Sequence, residues 1–139
     1  VASASWNRVG QSTTTSAVPT LTLQATLDAS EVDRARDGAV LASAASVIAS
    51  KRQLEAASAY ARGDVARATA LTAQNEEALG AALATAPSAA MPALTAQRNA
   101  YAEQKKGFSS IRPGSAAGRA VSKSAAAKDL GNLNRASSY

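Results

Sequence analysis

The sequence predicts a mainly α fold: an antiparallel helical hairpin and a third helix, with an N-terminal β-hairpin before them and an irregular basic C-terminal tail behind. Three observations lead there. Residues 31–62 and 65–86 both carry apolar side chains at helical spacing, and Gly63-Asp64 breaks them once. Residues 18–27 alternate apolar and polar instead, the pattern of a half-buried strand. From residue 109 the composition turns to Ser, Ala, Gly, Lys and Arg, a mixture that buries too little apolar surface to order itself alone.

At the N-terminus, Trp6 stands among Val, Ala and Ser in residues 1–9, and 10–17 reads as a polar loop of Gly, Gln, Ser and Thr. In the second strand Leu21, Leu23, Ala25 and Leu27 share one face, and Thr20, Thr22, Gln24 and Thr26 the other. A two-stranded hairpin is marginal in water. The pair is therefore expected to complete a larger sheet supplied by another segment or chain, with Leu21, Leu23 and Leu27 as its partner-binding face and Trp6 as the anchor.

The first helix is expected over 31–62, its apolar line running through Val40, Ala44, Val47, Leu54 and Ala61 with Ile48 beside it. Ser30 can cap its start, and Glu31 and Asp33 place negative charge on the positive end of the helix dipole. Gly63 suits the left-handed residue that closes a helix, and Asp64 suits the N-cap of the next. The second line runs Val65, Ala68, Leu71, Ala78 or Leu79, then Ala82 with Leu83, and stops near Ala86 because Pro87 disfavours helical geometry before it. So short a turn makes the two helices antiparallel, and their alanines allow close approach. Pro92 fits the first turn of a third helix, which carries Leu94, Arg98 and Tyr101 on one face and ends near Gly107. Phe108 and Ile111 are the last sizeable apolar pair. The expected organisation is thus 1–29 β-hairpin, 30–108 helices and 109–139 basic tail, within which only 121–130 could form a helical segment.

Composition narrows the chemistry. The 139 residues include no cysteine and no histidine, which removes disulfides, thiol nucleophiles, the usual zinc sites and the commonest general base. Alanine supplies 37 of them, so much of the 46% hydrophobic content buries little area and the core is expected to be thin, stabilised by a neighbour or by self-association. From residue 104 onward, Lys105, Lys106, Arg112, Arg119, Lys123, Lys128 and Arg135 stand against Asp129 alone, so the net charge of +5 resides in the C-terminal part. No apolar run is long enough to cross a bilayer, and no signal peptide is read at the N-terminus. A first residue of Val1 suggests a processed product or a fragment.

No constellation announces catalysis. Glu76 and Glu77 are adjacent and point to different parts of a helix surface, which makes a poor acid/base pair. Asp28 and Ser30 match the first half of an Asp-x-Ser-x-Ser metal site, but residue 32 is Val32 and the third ligand is missing. Gly114, Ser115 and Gly118 lack the strand and helix of a phosphate cradle. The expectation is no catalytic residue, no metal and no cofactor. The spaced cations of the tail could neutralise a polyanion, although such tails are more often solvated, and Phe108 and Tyr139 are the only aromatics available for base stacking.

Taken together, Trp6, the run Pro19-Thr-Leu-Thr-Leu-Gln-Ala-Thr, the acidic run Asp28-Ala-Ser-Glu-Val-Asp-Arg-Ala-Arg-Asp and Ala56-Ala-Ser-Ala-Tyr-Ala-Arg-Gly-Asp-Val-Ala-Arg-Ala resemble the C-terminal part of bacterial von Willebrand factor type A (VWA) domain-containing proteins. In those proteins a metal-binding Rossmann-like domain is followed by a small β-sandwich segment and a helical hairpin. The resemblance implies a secreted or cell-envelope protein used in adhesion or assembly. It carries no metal site onto this chain, which lacks the type A domain. The expected function is a non-enzymatic structural and interaction module that packs against a VWA part missing from this chain or against other copies of itself. Polyanion binding through the tail, to nucleic acid or an acidic surface, is the alternative.

Overall fold

The computed structural model describes residues 3–6, 14–17 and 25–136. They fall into two compact units, residues 1–35 and 36–139.

In the first unit, β1 (Ser3–Trp6) and β2 (Thr14–Ala17) pair antiparallel, with Ser3 opposite Ala17 and Trp6 opposite Thr14. Helix α1 (Ala29–Ala35) follows. Asp28, rather than Ser30, opens it: the Asp28 carboxylate accepts the Ser30 N–H at 2.8 Å, while Thr26 Oγ1 donates to Glu31 at 2.6 Å. Hydrogen bonds from Ser30 hold the Asp28 carboxyl below the ordinary carboxylate range.

The second unit is an up-down-up-down bundle of α2 (Gly38–Ala61), α3 (Val65–Thr85), α4 (Met91–Ser110) and α5 (Ala116–Ala136). Helix α2 begins where the sequence reading runs one helix through, because Asp37 adopts extended geometry and its side chain accepts from the N–H groups of Ala39 and Val40. The Gly63-Asp64 turn lies where expected. Gly63 has φ +92°, its N–H bonds Tyr60 O at 2.9 Å, and the Asp64 N–H reaches Ala59 O at 3.0 Å, a Schellman closure. The Asp64 side chain then caps α3 through the Arg67 N–H.

The expected fold class is overturned. Among the described residues there are five helices, not the three with a β-segment seeking a sheet. Among the described residues no sheet is completed: β1 and β2 pair only with each other, and β2 lies in the stretch expected to be loop. The expected second strand over 18–27 is absent where it can be judged, since residues 25–27 are not strand and 18–24 lie outside the described residues. The irregular tail is the 21-residue helix α5. It orders because small residues let it lie close to α2 where large apolar ones are missing. Gly118 and Ala125 are buried, and a Cβ on Gly118 would strike the Arg112 carbonyl oxygen and lie 3.1 Å from the Tyr60 hydroxyl. Pro113 and Gly114, at φ +78°, make the turn that Ser115 continues by accepting the Gly118 N–H. Helix α4 also runs on past Gly107, to Ser110.

The apolar line expected on α2 lies largely toward solvent, with only Val47 and Leu54 half-buried. Val40 is 62% and Ile48 55% exposed, with Ala44 and Ala61 also at the surface, whereas the buried side of the helix is Ala42, Ala49, Ser50, Gln53, Ala56, Ala57, Ala59 and Tyr60. On α3 and α4 the reading holds for Ala68, Leu79, Leu94 and Tyr101, all buried.

The core forms two apolar clusters. Tyr60, Phe108, Ala56, Ala68 and Ala125 make the one beside the Gly63 turn, and Leu79, Leu94, Tyr101, Ala42 and Ala49 make the other. A buried polar layer sits between them.

Candidate functional site

The polar layer is built by repetition. Helices α2 and α4 run parallel across the bundle, and a constant offset of 51 residues relates their contacts: Ser46 with Gln97, Ser50 with Tyr101, Gln53 with Gln104, Tyr60 with the Ile111 carbonyl. Intervals of four and three residues on each helix put these side chains on one inward face.

Gln53 is the hub. Its amide nitrogen donates to Thr72 Oγ1 at 3.2 Å and to Gln104 Oε1 at 2.6 Å, and its oxygen accepts from Asn75 at 2.9 Å. Asn75 also donates to the Ala49 carbonyl at 3.0 Å and accepts from Arg52 at 3.2 Å. On the other side, Gln97 accepts from Ser46 and donates to the Tyr101 hydroxyl at 2.8 Å, which donates in turn to Asp129 Oδ1 at 2.6 Å. Burying such groups is tolerable only when they are paired. Most of these are.

Two are not. Asp129 Oδ2 and Gln104 Nε2 are buried without a hydrogen-bond partner. Both residues line one cleft of about 200 Å³ between α4 and α5, together with Tyr101, Lys128, Asn132 and Arg135.

Burial raises the Tyr101 phenol well above its ordinary value, with the Asp129 carboxylate adding to the shift, so Tyr101 stays a donor across the working pH range. Asp129 is 1% exposed, and burial likewise lifts its carboxyl above the usual 3.8, although the Tyr101 and Ser50 hydrogen bonds and the nearby Lys128 charge pull it back. A carboxyl with a raised folded pKa binds its proton more tightly folded than unfolded. Its contribution is therefore most favourable near pH 3.8 and below, and declines as pH rises through the raised value. Urea unfolding from about pH 4 to about pH 7 is expected to show this decline in the wild type and to lose it in Asp129→Asn. Parallel pH profiles for the two proteins would remove Asp129 as the source.

The expected site residues are scattered. Trp6 has its backbone in β1, Leu21 and Leu23 lie outside the described residues, and Leu27 is fully exposed. Of the basic set, Lys105 pairs with Glu76 at 2.6 Å and Lys106 with Glu103 at 2.7 Å, Arg119 donates to the Gly114 carbonyl, and Arg112 and Lys123 are at the surface. At roughly 100° per residue, Arg119 and Lys123 lie on one flank of α5, and Lys128 and Arg135 on the opposite one. The polar layer itself escapes a reading that assigns Gln, Asn and Ser to solvent. The signal that could have found it is the matching spacing of 46, 50, 53 and 97, 101, 104 on two helices.

Among the described residues no group of three or more His, Cys, Asp and Glu side chains could hold a metal ion, and no helix is long and apolar enough to cross a membrane. Set against protein-family models, curated proteins and solved structures, the chain matches none.

Proposed function

We propose that this chain is a non-enzymatic structural and interaction module that assembles with other copies of itself through the outer face of α2. The observation that carries the reading is the inverted helix: Val40, Leu41 and Ile48 are exposed, while the inward face is built of alanine and polar groups. Contiguous apolar side chains of this size on one helix mark an interaction surface, and burying each one stabilises by about 1.5–3 kcal/mol. The apolar groove of about 260 Å³ lined by Ala42, Ser46, Val47, Leu94 and Asn132 among others opens between α2, α4 and α5, on the inward side of α2, and is not part of this face. Assembly is also what the resemblance to the C-terminal part of VWA proteins implies, and with it a place in the cell envelope or outside the cell.

Sedimentation velocity of the 139-residue chain tests this. A mass that grows with concentration above 14.0 kDa is expected, and Val40→Lys with Ile48→Lys should return a monomer of unchanged helix content. A wild type that stays at 14.0 kDa at every concentration would refute self-assembly. The basic tail gives the polyanion reading less support, because its cations divide between two flanks of α5 and the two on α4 are ion-paired.

A further inference from the structure

The α4–α5 seam is the most open part of the bundle, and its walls carry groups that lack partners. The cleft over Asp129 continues into a second one of about 490 Å³, which shares Gln104 and Lys128 with it and is otherwise lined largely by small residues such as Gly107, Ala120 and Ala125. Charge is graded across the first cleft. Its floor is the buried Asp129 carboxyl, whose Oδ2 has no donor, and two cationic side chains, Lys128 and Arg135, lie in its walls. Between them Gln104 Nε2 has no acceptor, since Gln53 occupies only the amide oxygen.

Both buried atoms and both cations are served at once by an occupant that presents a charged donor inward and an anionic acceptor outward. A lone cation would leave Gln104 Nε2 unpaired and would face Lys128 and Arg135. A lone anion would face Asp129. We propose that the α4–α5 cleft binds a small zwitterionic amino acid, its ammonium on Asp129 Oδ2 and its carboxylate on Gln104 Nε2, Lys128 and Arg135. Lys128 is exposed at the mouth of the cleft, and Gln104 is held in its wall by Gln53. Charge-assisted hydrogen bonds at a buried carboxylate are the strong kind. The site is independent of the outer face of α2, so its failure would leave the assembly proposal standing.

Calorimetric titration of the full chain with glycine and with L-alanine tests it, with methylammonium and acetate as the two half-ligands. Saturable binding at one site per chain is expected for the zwitterions, with each half-ligand at least about tenfold weaker, a difference of about 1.4 kcal/mol. Asp129→Asn should abolish binding. Lys128→Gln, at an exposed position, should weaken it at least about fivefold, as loss of a charged hydrogen-bond partner does. No saturable binding of either amino acid would overturn the proposal. So would methylammonium binding as tightly as glycine, or affinity unchanged in Lys128→Gln.

Discussion

Gln53→Leu is expected to destabilise the bundle by roughly 1–3 kcal/mol, because one substitution removes a partner from three buried or half-buried groups and leaves one of them with none. Thr72 Oγ1 and Asn75 Nδ2 keep their carbonyl partners, Ala68 O and Ala49 O, but Gln104 Oε1 loses its donor, and Gln104 Nε2 is unpartnered already. A leucine of similar volume fills the space and cures none of this. Cost arises from the orphaned groups rather than from the lost bonds, so a double variant, Gln53→Leu with Asn75→Leu, should cost less than the sum of the two single changes. Urea midpoints for the three variants measure it. A single-variant cost below about 0.5 kcal/mol would show that water replaces Gln53 without loss and that the layer does not hold the helices in place.

Phe108→Ala should cost roughly 3–5 kcal/mol, at the upper end for a core truncation. Phe108 is fully buried and stacks on Tyr60 with ring centroids 4.7 Å apart and planes at 29°. Such a pair is worth about 0.5–1.5 kcal/mol beyond the area it buries. The other buried members of the cluster are alanines, too short to collapse into the space, and Val65, Leu71 and Val121 pack against it from partly exposed positions, so the cavity is filled incompletely and the penalty stays high. Phe108→Leu should recover much of the loss in the same denaturation experiment. A loss below about 1 kcal/mol for the alanine variant would mean that α5 closes over the gap.

These two effects bear on what could be read from the chain. The Gly63-Asp64 turn, Pro92 and the inward residues of α3 were legible, because each rests on local geometry: a positive φ, a missing N–H, a 3.6-residue period around leucines. Helix α2 was legible as a helix but not in its orientation. A hydrophobicity pattern points the larger side chains inward, whereas here the inner face needs small and polar ones to meet α4 and α5 at close range. Helix α5 was hidden for the same reason, since Gly118, Ala125 and Asp129 do not look like a core until Tyr60 and Tyr101 are placed opposite them. The strand reading over 18–27 fails where it can be judged, at 25–27, which are not strand and where Leu27 is fully exposed. Of the candidate cleft, Tyr101 was legible as a face of α4, and Lys128, Asp129 and Arg135 only as members of a diffuse charge.

The parallel pairing of α2 with α4 bears on how the chain acquires its structure during synthesis. The α2–α3 contacts span about 20 residues and need nothing beyond residue 85, but the 51-residue offset means that Ser46, Ser50 and the Gln104 contact of Gln53 need α4. Asp129 and Asn132 arrive later still, when the last helix emerges. Until then the nascent hairpin presents polar groups from its future interior and its valine and isoleucine from its permanent exterior. The outer face of α2 is thus as accessible on the incomplete chain as on the finished bundle, whereas the polar residues of the interior are covered only once α4 and α5 are in place.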